Sequence, residues 1–170
     1  MRITQFILMA LLPCTALSAE PPKGWRLPTE KELIAEPLRS KSPTNSAAVV
    51  GDFNGDGQTD YAYLFVSTVF DGEGLLVWLS TPTGYSWKVI DTTNRGESSH
   101  SVELEMGIDL AEPGEYKTAC AKGYWECGKD EPEMLVLAAP GIWHFHFESA
   151  ASIWSWDQKS HGFKRTWISD

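Results

Sequence analysis

The chain has 170 residues, with 14 Lys and Arg against 23 Asp and Glu, for a formal net charge of −9. Its 42% hydrophobic residues, 8 Trp among them, supply core for one domain, and its length leaves no room for two comfortable ones. The acidic balance argues against DNA, RNA and anionic membrane surfaces as partners, because neutralising phosphate takes an excess of Lys and Arg.

Residues 1–19 have the layout of a secretory signal. Met1-Arg2 is a short positive start, Ile3 to Leu17 is mostly apolar, and Leu17-Ser18-Ala19 ends in small residues ahead of Glu20-Pro21-Pro22. The apolar run is too short to span a bilayer as a permanent helix, so no membrane insertion is expected once it is cleaved. Cys14 follows Leu11-Leu12-Pro13, which lacks the small residue expected just before a lipid-attachment cysteine. Cleavage after Ala19 removes Arg2 and no acid, leaving 151 residues with 13 basic and 23 acidic side chains, a net of −10. A periplasmic or secreted destination follows.

Residues 20–46 carry five prolines, at 21, 22, 28, 37 and 43, and are expected to be extended or turning. Within them Thr29-Glu30-Lys31-Glu32 is a capping-box pattern. It predicts a short helix from Glu30 to Glu36, stopped by Pro37.

From 47 to 170 the periodicity shifts to two, in a single domain. Strands are predicted at Ala47–Val50, Tyr61–Ser67, Leu75–Ser80, Ser86–Asp91, Val102–Ile108, Glu133–Ala138, Ile142–Glu148, Ser152–Asp157 and Phe163–Ser169. Turn signals such as Asp71-Gly72, Thr81-Pro82-Thr83-Gly84 and Ser160-His161-Gly162 separate them. Short links between successive strands imply a mainly β, antiparallel meander forming a sandwich or a strongly curved sheet, with one short N-terminal helix. For the last hairpin, pairing Asp157 with Gly162 sets Trp156 against Phe163, Trp154 against Arg165 and Ser152 against Trp167.

Between the first two strands runs Asp52-Phe53-Asn54-Gly55-Asp56-Gly57-Gln58-Thr59-Asp60. Oxygen side chains fall at its first, third, fifth and ninth positions, and Gln58 can offer a backbone carbonyl at the seventh. Calcium takes six to eight hard oxygen ligands, and alternate positions on a tight loop wrap them round one ion. Gly57 permits the sharp turn. The alternative is an acidic turn held by Asx hydrogen bonds alone. Tyr63 stands where an EF-hand has its bidentate Glu, and the flanks are strand-like. The stretch Val49 to Ala62 resembles the FG-GAP/VCBS-type repeat, a strand–calcium loop–strand unit of integrin-like propellers and many secreted bacterial proteins. That resemblance implies Asp52, Asn54, Asp56, Gln58 and Asp60 as calcium ligands. There is one copy, and a propeller needs at least about four blades of roughly 40–50 residues, so a complete propeller is not expected. The segment Tyr116 to Cys127 also resembles small exported bacterial proteins, which implies a compartment and no activity.

Cys120 and Cys127 are the only cysteines after residue 19. In an exported chain the pair is expected to be a disulfide, closing an eight-residue ring worth about 2.5 kcal/mol of chain entropy. Two unbonded thiols are the alternative, and the spacing does not suit zinc.

Weaker constellations complete the inventory. Alternation over Trp143-His144-Phe145-His146-Phe147-Glu148 puts His144, His146 and Glu148 on one face. With His100 or His161 they could hold zinc, although a half-buried strand showing its polar face to water needs no metal. Glu103 and Glu105 share a predicted strand face and, with Glu148, are the candidate carboxylates of a small envelope hydrolase. Trp25, Tyr85 and Trp87, lying in or near loops, and Tyr124-Trp125 in the cysteine loop, suit recognition of an envelope protein or glycan. The expectation is therefore an exported calcium-binding β-domain with a structural ion, acting by binding. An envelope hydrolase and a periplasmic inhibitor or immunity protein are the alternatives.

Overall fold

The computed structural model describes residues 20–34, 36–96 and 103–170. The expected signal segment, Cys14, His100 and Val102 lie outside them. The described strands are β1 (Trp25–Arg26), β2 (Ala48–Gly51), β3 (Asp60–Ser67), β4 (Gly72–Thr81), β5 (Gly84–Asn94), β6 (Met106–Ala111), β7 (Gly114–Lys117), β8 (Met134–Leu137), β9 (Gly141–His146), β10 (Ala151–Asp157) and β11 (Gly162–Ser169). One helix, α1 (Glu30–Ile34), precedes a 3-10 turn at Pro37–Lys41.

The strands form an antiparallel β sandwich. One sheet has the order β1-β3-β4-β5, with β2 also pairing β3; the second has the order β11-β10-β9-β6. Between them lies a core built on Leu64, Leu75, Val77, Ile108 and Ile142, all buried. The ribbon β7-β8 covers the outer face of the second sheet, packing Leu137 of β8 with Ala111, Ile153 and Ile168. Parity explains both layers: along β9, Ile142 faces the first sheet while Trp143 turns outward to meet Tyr116 edge-on at 5.6 Å.

The final hairpin pairs as the aromatic alternation predicts, Asp157 with Gly162, Trp156 with Phe163, Trp154 with Arg165 and Ser152 with Trp167. The capping box forms as well. Thr29 Oγ1 accepts from the Glu32 amide at 3.3 Å, and Glu32 returns a carboxylate oxygen to the Thr29 amide at 2.7 Å. The described helix spans Glu30–Ile34, and Glu36, the expected last helical residue, is the N-cap of the 3-10 turn.

Four expectations are corrected. β6 starts at Met106, so Glu103 and Glu105 are not on one strand face. Their backbone is held by buried side chains: Arg39 takes the carbonyls of Leu104 (2.9 Å) and Met106 (2.5 Å), and Glu73 takes the amides of Glu105 (3.0 Å) and Met106 (2.7 Å). β9 ends at His146, and Glu148 sits in the following turn with φ of 58°. His144 does not show water a polar face; it is buried between the sheets, 3.3 Å from the Asp91 carboxylate, which also pairs with Arg165 at 2.9 Å. Tyr85 and Trp87 lie within β5, not in loops.

Candidate metal centre

The loop 52–60 leaves β2 and returns as β3, at one end of the sandwich. Two features of the sequence hold it there. Phe53 is fully buried and anchors the loop in the core between the sheets. Gly51 lets that ring in, since a Cβ at 51 would stand 2.9 Å from it. Gly55 and Gly57 both have positive φ, 73° and 82°, the left-handed turns that glycine accommodates without strain.

Within the loop, Asp52 Oδ1 and Asn54 Oδ1 both accept from the Asp56 amide, each at 3.0 Å, so two side-chain oxygens converge on one point. Asp52 Oδ2 accepts from the Gly57 amide at 2.8 Å. Asp56 is exposed, and its carboxylate accepts from Ser80 Oγ (2.8 Å), the Gln58 amide (2.8 Å) and Asn54 Nδ2 (3.1 Å). The Ser80 hydroxyl, aided by the Gln58 amide and Asn54, holds the Asp56 carboxyl below the usual carboxylate range.

Asp60 plays another part. It is fully buried, and Oδ2 accepts from the amides of Phe53 (2.9 Å) and Asn54 (3.4 Å) while Oδ1 accepts from the Ser80 amide (2.7 Å). Its carboxylate is thereby committed to backbone N–H groups of the loop and of β4. Among the described residues no three His, Cys, Asp or Glu side chains group closely enough to hold a metal ion. The inward turn of Asp60 separates it from the two outer aspartates.

Three further bonds tie the loop to the rest of the domain. Gln158, in the β10-β11 turn, donates Nε2 to the Asn54 carbonyl at 2.9 Å. Tyr85 donates its hydroxyl to the Thr59 carbonyl at 3.0 Å, and Asn54 Nδ2 reaches the Ser80 carbonyl at 3.3 Å. The loop is thus attached to both sheets. Its outer donors (two carboxylates, a side-chain amide and backbone carbonyls) suit a hard divalent cation in kind, and Asp52 and Asp56 supply the two charges that balance one.

The other candidates do not assemble. Glu103, Glu105 and Glu148 are all exposed, and none of them lines the cavity between β11 and the disulfide segment, the small one beside His144 or the one along β2. His146 is exposed at a strand end and His161 lies in the β10-β11 turn, away from buried His144. Cys120 and Cys127 are disulfide-bonded. Trp25 closes over Gly74 and packs edge-on against Phe70 at 5.8 Å. Trp87 and Tyr85 join Tyr61, Tyr63 and Trp78 in an aromatic cluster on the outer face of the first sheet. Tyr124 is exposed, whereas Trp125 is half-buried and donates Nε1 to Glu131 at 3.2 Å.

Residues that sequence reasoning missed are Phe53, Ser80 and Gln158. Phe53 had a local signal, a lone aromatic inside a polar loop; Ser80 and Gln158 reach the site only through tertiary pairing. Compared with family models, curated proteins and solved structures, the chain finds no match in any of the three.

Proposed function

We propose that this chain is an exported β-sandwich domain, stabilised by one calcium ion in the loop 52–60, that acts by binding another macromolecule in the bacterial envelope and has no catalysis of its own. The observation that carries the reading is the convergence of the Asp52 and Asn54 side-chain oxygens beside the exposed Asp56 carboxylate, on a loop tied to both sheets. Asp52, Asn54, Asp56 and the Gln58 carbonyl would hold the ion, and Asp60 would set the backbone that presents them. The resemblance to the FG-GAP/VCBS unit supports calcium as the choice of cation.

Calcium would offset the repulsion of Asp52 and Asp56 and pin the connection between β2 and β3. Its role is structural. The signal pattern of residues 1–19 and the Cys120–Cys127 disulfide both support an oxidising compartment, periplasmic or external. The exposed, dispersed positions of Glu103, Glu105 and Glu148 do not favour the hydrolase alternative. Calcium titration by calorimetry tests the reading, with thermal unfolding in calcium and in chelator. Absence of heat together with identical unfolding midpoints would reject it.

A further inference from the structure

β11 is an edge strand: β10 pairs one side of it, and no described strand pairs the other. The carbonyl of Trp167 points to that outer side, since it accepts from the Ala119 amide at 2.9 Å. In a β-strand the outward-facing backbone groups recur every second residue, so the N–H and C=O of Arg165 and Phe163 face the same way. Among the described residues no further backbone bond reaches them there. The edge is therefore closed at its C-terminal end by the disulfide segment and open beyond it.

A cavity of about 120 Å³ lies against this open stretch. One wall is β11, from Lys164 to Trp167; the other is the segment around the disulfide, with Thr118, Trp125, Asp130 and Glu131. Glu131 spends one carboxylate oxygen on the Trp125 indole and the Gly128 amide, which fixes that wall. Asp130 is exposed and has no ion-pair partner among the described residues. From Glu126 to Glu133 the segment carries four acids and one Lys.

We propose that the open edge of β11 is a strand-addition site that takes an extended peptide segment bearing a basic side chain. The incoming strand would bond the outward N–H and C=O groups of Arg165 and Phe163. It would place alternate side chains in the cavity beside Trp125, Asp130 and Glu131. Charge selects the occupant. The acidic segment favours Lys or Arg on the peptide. A second copy of this edge is disfavoured, because it would bring its own Lys164 toward Lys164. The inference rests on the proposed binding role and gives the partner a chemical class.

The test uses the 15N-labelled protein and an acetylated, amidated Val-Lys-Val-Lys-Val peptide. Saturable shifts of the Phe163 and Arg165 amides, with slower hydrogen exchange at both, are expected. N-methylation at the alternate peptide positions that face the edge should abolish binding, whereas methylation at the intervening positions should leave it. A Val-Glu-Val-Glu-Val peptide should bind about tenfold more weakly, and Asp130→Asn should weaken the Lys peptide about threefold. No binding at millimolar peptide, equal affinity for the Glu peptide, or indifference to which positions are methylated would each overturn the proposal. The titration is run in calcium and in chelator. Loss of peptide binding while calcium still binds defeats strand addition alone; intact peptide binding without any calcium response defeats the calcium reading alone.

Discussion

Removing the Asp60 carboxylate separates loop architecture from ion binding. In Asp60→Ala the amides of Phe53 and Ser80, which donate at 2.9 and 2.7 Å, lose a charged acceptor inside the fold, and the longer Asn54 bond at 3.4 Å goes with them. A hydrogen bond to a charged group contributes about 1.5–3 kcal/mol, and a buried donor left without a partner costs a similar amount. Counting the two short bonds and discounting the long one, the expected loss is about 3–5 kcal/mol, a large share of a typical domain's stability. Asp60→Asn should lose roughly half as much, since its one amide oxygen can serve only one side of the carboxylate's former partners. Asp56→Ala, at an exposed carboxylate, should lower stability far less than either Asp60 variant without calcium. Urea unfolding in chelator, followed by Trp fluorescence, measures all three. A loss below about 1 kcal/mol for Asp60→Ala, or a loss that appears only when calcium is present, would refute the assignment of Asp60 as a backbone anchor.

Other perturbations have equally specific outcomes. Arg39 is buried and donates to the carbonyls of Asn45, Leu104 and Met106, so Arg39→Ala should lower stability in urea by about 3 kcal/mol or more. Arg39→Lys should recover little, because an ammonium cannot span carbonyls arranged for a planar fork. Glu32 has its carboxyl lowered to about 2, first by the Arg26 guanidinium and then by Thr29. A depressed acid stabilises the fold above its unfolded pKa, so this contribution should be complete above about pH 4.5 and lost as pH falls toward 2, as read by the fluorescence of neighbouring Trp25. Cys120→Ala with Cys127→Ala should cost about 2.5 kcal/mol from an eight-residue ring, measurable as a lower urea midpoint.

Much of the fold was legible from side-chain alternation. The register of the last hairpin follows from Trp154, Trp156 and Phe163 sharing one face, because a one-residue slip would turn all of them over. β7 was illegible for the opposite reason. Gly114-Glu115-Tyr116-Lys117 has one large apolar residue, and it pairs because β8 offers a partner across the disulfide segment. Glu103-Leu104-Glu105 alternates like a strand, yet buried Arg39 and Glu73 satisfy its backbone in place of a neighbouring strand. Alternation placed His144 and Trp143 on opposite faces correctly, but it could not say that both faces of the second sheet are covered.

The loop shows the same division. Spacing alone placed Asp52, Asn54 and Asp56 on one turn, where the side-chain oxygens of Asp52 and Asn54 do meet at the Asp56 amide. Spacing treated Asp60 as their equal. What sets it apart is its position as the first residue of β3, where its side chain turns inward to the amides of Phe53 and Ser80. Ser80 comes from the far end of β4, 24 residues along the chain from the Asp56 carboxylate it donates to, and only strand pairing brings it there.

The most direct test of the central claim is a calorimetric calcium titration of the chelator-stripped protein, with Asp56→Ala in parallel. The account predicts saturable binding at a single site, a higher unfolding temperature in calcium than in chelator, and at least tenfold weaker binding for Asp56→Ala. Absence of binding heat with unchanged unfolding temperature, or equal calcium affinity in Asp56→Ala, would contradict it.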